Sequence, residues 1–203
     1  LIFDEITAGF RLCAGGSHKA LGVEPDMAVF AKGLTSGYPL SAVIGRREVM
    51  EAAQGTFISS TFYTERIAFA ATLKSVELYE EHKVWEKQDE YGKMVQRGWK
   101  EKAGKHGLEI AIGGIRPLGH FSIIGSENGL VYKTFFVQEM LKRGYIASNA
   151  FYTSYAHSKE IVEGYLECVD EVFGMIAEIG NRGEWVEDHL QGKVCHSGFG
   201  RLN

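Results

Sequence analysis

AKGLTSGYPLSAVIGR, residues 31–46, sets one lysine among small and apolar residues, with three glycines and a proline close by. Lysine is rarely buried without a partner, so Lys32 is either an ordinary loop lysine or an amine that is used chemically. Its neighbours define the setting. Residues 27–31, MAVFA, form a short apolar run after the turn signal Pro25-Asp26, and this predicts a buried strand with Lys32 just past its end. Residues 40–44, LSAVI, predict another strand, closed by Gly45. Residues 1–6, LIFDEI, predict a buried strand whose C-terminal tip is acidic, and a glycine-rich connection through Gly15-Gly16 follows it. Three short strands with intervening loops imply part of an α/β sheet.

The pattern turns helical at Thr64, which can cap a helix with Glu65 in its first turn and Ile67, Ala71, Lys74 and Leu78 at helical spacing. The charge-rich stretch 80–105 predicts further helix with a solvated face. A domain boundary is expected near its start, dividing 1–80 from 81–203. Beyond it, 108–112, 120–124 and 145–147 read as strands, and 130–143 reads as a helix stopped at Gly144. A last helix is capped by Ser158, carries Val162, Tyr165, Leu166, Val169, Phe173 and Ile176 on one face, and ends at Gly180. The second part is therefore expected to be an α+β unit.

Composition narrows the function classes. The chain has 203 residues, and its net charge of -4 with no basic cluster leaves no electrostatic footprint for nucleic acid. No apolar run reaches membrane-spanning length. The three cysteines, Cys13, Cys168 and Cys195, form no CxxC pair, which favours a reducing, cytoplasmic setting. The histidines lack metal-ligand spacing, so no metal site is expected. The chain also opens inside an apolar strand without methionine, which predicts a segment of a longer protein.

In open α/β sheets, ligands sit outside the carboxyl ends of the strands. Asp4 and Lys32 both lie at such ends, and neighbouring strands could bring them to one pocket. An ion pair accounts for them. So does Schiff-base chemistry, in which pyridoxal phosphate needs a lysine for its aldehyde and a carboxylate for its pyridinium nitrogen.

Three blocks then carry a resemblance: LIFDEITAGFR (1–11), GVEPDMAVFAKGLTSGYPLSAVIGR (22–46) and GTFISSTFYTERIAFAATL (55–73). They resemble class III pyridoxal-phosphate aminotransferases, in particular the glutamate-1-semialdehyde aminomutase-like branch. EMLKRGYIASNAFYTSYAH (139–157) is similar to the C-terminal domain of that family. The resemblance implies fold type I of the PLP-dependent transferases, with a partial large-domain sheet followed by a small α+β domain. It makes Lys32 the Schiff-base lysine, Asp4 the carboxylate at the pyridinium nitrogen, and Ile6 the aliphatic residue packed on the cofactor ring. Thr61 becomes the threonine that reaches the phosphate of the neighbouring subunit's cofactor in a homodimer. The implied reaction moves an amino group between a small-molecule donor and an oxo acceptor, or within one skeleton. The alternative is a non-catalytic segment that acts only with a complementary N-terminal chain.

Overall fold

A three-stranded sheet opens the chain in the computed structural model, which describes residues 1–125 and 128–198. Its strands are β1 (Ile2–Glu5), β2 (Met27–Phe30) and β3 (Ala42–Gly45), with the short helix α1 (Ser17–Leu21) between the first two. β2 is central, parallel to β1 and antiparallel to β3. Asp4 lies opposite Val29 and Glu5 opposite Phe30. Because successive side chains alternate across a sheet, Phe3, Glu5, Ala28, Phe30 and Ala42 share one face, and Ile2, Asp4, Val29 and Val43 share the other.

The first face packs on Phe10, Leu34, Tyr79 and Val84. The second face is open: Ile2 is 64% exposed and Val43 46%. The expectation of fully buried strands at 1–6 and 40–44 is thus corrected. One face of this sheet is covered within the unit, which leaves Ile2 of β1 and Val43 of β3 in solvent, and Ile44 on the covered side is exposed as well.

After β3 come α2 (Arg47–Met50) and a 3₁₀ turn, Glu51–Gly55, and then α3 (Arg66–Glu81). The cap of α3 is Glu65, not Thr64. Its carboxylate accepts the N–H groups of Ile67 at 2.7 Å and Ala68 at 3.1 Å, satisfying two of the free donors of the first turn. The buried stripe of α3 holds Ala68 and Tyr79, one residue on from the Ile67–Leu78 spacing, and Ile67 itself is 63% exposed. The charge-rich segment is α4 (Val84–Lys105), as expected. The chain divides into two compact units, Leu1–Asp89 and Glu90–Asn203, with the division inside α4.

In the second unit, β4 (Ile110–Ile115), β5 (Leu118–Ile123) and β6 (Ala150–Tyr152) form an antiparallel sheet, and α5 (Gly129–Lys142) lies between β5 and β6 in the chain. The last strand falls at 150–152 rather than 145–147. Tyr145 is committed to closing α5, its N–H donating to Met140 O at 3.0 Å. Pairing with β5 starts only where Asn149 exchanges bonds with Phe121 at 2.9 and 2.8 Å. The helix α6 (Lys159–Asn181) begins at Ser158, whose hydroxyl accepts Ile161 N–H, and it runs one residue past Gly180. The six apolar residues expected on its inner face are all buried, joined by Val172 and Ile179. They meet Val95, Trp99, Phe121, Phe135, Phe136 and Met140 in the core of the unit.

One polar cluster in this unit sets a pH response. Partial burial pushes the Asp170 carboxyl up, but hydrogen bonds from Lys105, His106 and Lys102 outweigh it and hold the pKa down at about 2. The distances are 2.7, 2.8 and 3.4 Å. A depressed carboxylate contributes stability that is present above its unfolded pKa and lost as pH falls through the folded one. Asp170→Asn is therefore expected to lower stability most near neutral pH. The difference from the native chain should close as pH falls from about 4 towards 2, as read by urea denaturation across that range. A pH-independent difference would reject the assignment.

Candidate active site

β1 and β2 run parallel in direct register, so their carboxyl ends open on one edge of the sheet. Asp4 stands on the last turn of the β1 pleat, and Lys32 follows β2 by two residues. The loops leaving the two strands touch at Gly9 and Gly33. A Cβ on Gly9 would lie 2.7 Å from Glu5 O, and one on Gly33 would lie 3.2 Å from Gly9 O. The absence of side chains at Gly9 and Gly33 favours this close approach, which brings Gly33 against Gly9 and Phe10.

Lys32 begins the 3₁₀ turn Lys32–Leu34 with φ at +47°, a left-handed conformation uncommon outside glycine, asparagine and aspartate. Thr35 and Ser36 N–H groups both donate to its carbonyl at 3.3 Å, which holds the turn. Its Nζ donates to Thr7 Oγ1 at 2.6 Å. The side chain is exposed, because it leaves the strand at the open end of the sheet. Among the described residues no carboxylate pairs with Lys32, so the ion pair with Asp4 is not formed. Asp4 is exposed on the uncovered face, where its Oδ1 accepts the Ile6 N–H at 3.0 Å. Ile6 is half-buried beside it.

Glu5, one residue on, points the opposite way and is wholly buried. Its Oε1 accepts from Ser17 Oγ at 2.9 Å and from His18 N at 3.1 Å, and lies 3.1 Å from His18 Nδ1. Burial pushes this carboxyl up, but the donors of Ser17 and His18 outweigh it and leave its pKa below the ordinary value. Among the described residues Oε2 has no partner. Further braces fix the loop: Arg11 Nε donates to Thr7 O at 2.7 Å, and Gly9 N–H to Glu5 O at 2.8 Å. The Tyr79 hydroxyl, from α3, donates to Phe10 O.

The structure thus gathers Asp4, Ile6 and Lys32 at one sheet edge. Thr61 is exposed in the turn before α3 and makes no side-chain hydrogen bond among the described residues. Sequence reasoning missed Thr7 and the Glu5–Ser17–His18 clamp. Thr7 could have been found as the first hydroxyl beyond the acidic strand tip. The clamp joins residues 12 and 13 positions apart and leaves no local pattern.

Comparisons with known proteins bear on the family and the fold. The Aminotransferase class-III family model matches residues 1–155. A glutamate-1-semialdehyde 2,1-aminomutase of Sulfurihydrogenibium azorense is 31% identical over 193 residues, covering 87% of this chain and 45% of the relative. A 2'-deamino-2'-hydroxyneamine transaminase of Streptomyces kanamyceticus is 27% identical over 176 residues, covering 84% of this chain and 44% of that protein. The FumI protein of Sphingopyxis sp. MTA144, solved in its PLP internal aldimine form, superposes with a TM-score of 0.81 at 24% identity, over 89% of this chain and 44% of that one. The α/β sheet and following α+β unit are therefore a partial fold type I architecture, and the chain spans about half the length of the curated relatives it matches. With the family model matching well over half of its residues, the chain belongs to the class III aminotransferases.

Proposed function

We propose that this chain supplies the lysine-bearing part of a pyridoxal 5'-phosphate-dependent aminotransferase or aminomutase. The observation that carries the reading is the placement of Lys32 and Asp4 at the carboxyl ends of adjacent parallel strands. The residues fit the cofactor. Lys32 offers an amine not engaged by any carboxylate among the described residues, Asp4 offers an exposed carboxylate, and Ile6 offers an aliphatic surface next to it. When bound, the cofactor supplies an aldehyde for covalent attachment and a ring that draws electrons from the substrate carbon.

The residues of the chain then divide the work. Lys32 Nζ is the attachment amine, and once free it takes the proton from the amine-bearing carbon of the substrate and returns a proton as general acid. Asp4 keeps the ring nitrogen protonated by presenting a negative charge to it. Ile6 packs on the ring and excludes water. Thr61 reaches the cofactor phosphate of the neighbouring subunit in a homodimer, with its hydroxyl as donor. The amino group passes from a small-molecule donor to an oxo acceptor, or returns to another carbon of the same skeleton. The remainder of the pocket comes from a longer polypeptide or a complementary chain, and the open sheet face bearing Ile2, Asp4 and Val43 favours such a cover.

Borohydride reduction in the presence of pyridoxal phosphate, followed by peptide mass spectrometry, tests the assignment. The adduct is expected on the Lys32 peptide. An adduct distributed over surface lysines, with none enriched at Lys32, would sink it.

A further inference from the structure

We propose that Thr7 is a positioning residue for Lys32, its hydroxyl oxygen docking the free amine at the sheet edge. The inference rests on the reading of Lys32 as the attachment amine and extends it to the state in which that amine is unattached. The hydrogen bond from Lys32 Nζ to Thr7 Oγ1, at 2.6 Å, joins residues 25 positions apart. It therefore reports tertiary structure rather than a local turn.

Both ends of this bond are fixed by other interactions. On one side, Lys32 is held in its left-handed turn by the two N–H groups on its carbonyl. On the other, Thr7 sits in a loop fastened at three points. Glu5 clamps the start of α1 through Ser17 and His18, Arg11 Nε binds the Thr7 carbonyl, and Gly9 N–H returns to Glu5 O. The Gly9–Gly33 approach then presses the two loops together. A flexible lysine in solvent loses rotamer freedom on docking, and this frame supplies one fixed acceptor for it.

The chemistry of the acceptor matters as much as its place. A carboxylate at this distance would favour the charged amine strongly. A hydroxyl is neutral, so it directs the amine with a much smaller preference for the charged form. An amine that must attack a carbonyl or take up a proton benefits from direction without being locked as a cation.

The test uses the full chain without cofactor. Acetic anhydride in trace amount labels amines in proportion to their accessible neutral form, and mass spectrometry reads Lys32 against Lys19 and Lys74 as internal references. Thr7→Val removes the acceptor at nearly constant shape and is expected to raise Lys32 labelling about threefold, the size of one modest hydrogen bond. A carboxylate partner would have shown at least about tenfold on removal. Thr7→Ser restores the hydroxyl and is expected to return labelling to the native level. Unchanged labelling in Thr7→Val, or a Thr7→Ser variant that behaves like Thr7→Val, overturns the proposal. Its failure is separable from failure of the functional reading: borohydride trapping at Lys32 with labelling insensitive to Thr7 rejects only the docking role. Trapping elsewhere with labelling that follows Thr7 rejects the attachment role and leaves the hydrogen bond standing.

Discussion

Replacing Lys32 by alanine is expected to cut amino transfer by at least about a hundredfold and as much as ten-thousandfold, the range supplied by a positioned general base. The same variant loses the borohydride-stable adduct. The magnitude follows from the loss of two roles at once, attachment and proton transfer, both assigned to one Nζ. Among the described residues, Lys32 is the lysine whose amine hydrogen-bonds Thr7 at the end of β2. The measurement is turnover of an amino donor with an oxo acceptor in the full-length protein, alongside circular dichroism. Lys32 is exposed and its turn is held by backbone hydrogen bonds, so the fold should survive the change. Unchanged turnover with an intact fold would remove Lys32 from the chemistry.

The largest stability effect is expected at Trp99. Its ring has no exposed surface, meets Phe121 at 5.1 Å in an edge-on contact, and donates Nε1–H to the Tyr165 hydroxyl at 3.0 Å. Trp99→Ala opens a cavity between α4 and the helices and sheet of the second unit, which costs about 3–5 kcal/mol. It also strands the buried Tyr165 hydroxyl without its donor. Trp99→Phe keeps most of the ring volume and loses only the hydrogen bond and part of the packing, so about 1–2 kcal/mol is expected. Urea denaturation gives both values. A loss below about 1 kcal/mol for the alanine variant would mean that this core can collapse around the gap.

The sequence was most informative where a periodic pattern met a single environment. The face of α6 from Val162 to Ile176 is buried as its spacing implied, because one helix lies against one core. Legibility fell where two environments compete. In α3 the stripe actually buried is offset by one residue, since Ala68 and Tyr79 offer a core face as plausible in pattern as Ile67 and Leu78. In β1 an apolar run suggested burial on both faces, yet within this unit only Phe3 and Glu5 turn inward. At the candidate site, the strand-end positions of Lys32 and Asp4 were readable because the chain marks strand ends with turn residues, whereas Ile6 came from the resemblance. The bond from Lys32 to Thr7 and the Glu5 clamp were not readable, because they join residues 25 and 12 to 13 positions apart. Thr61 was named from resemblance alone, and its surroundings within this chain add no contact to support or replace that role.

The adjacent acids of β1 have a further consequence for how the chain finds and keeps its alignment. Asp4 and Glu5 face opposite sides, one in solvent and one wholly enclosed with three donor groups around it. A slip of β1 by one residue against β2 would exchange them. Asp4 would then be buried too far from Ser17 and His18 on its shorter stem, and Glu5 would stand at the open edge with its clamp undone. The misaligned sheet therefore carries an unpaired buried charge, so the dipeptide acts as a built-in proofreader. A one-residue insertion or deletion within β1 would turn the residues on one side of it to the opposite face, so the alternation of this strand constrains its length in steps of two.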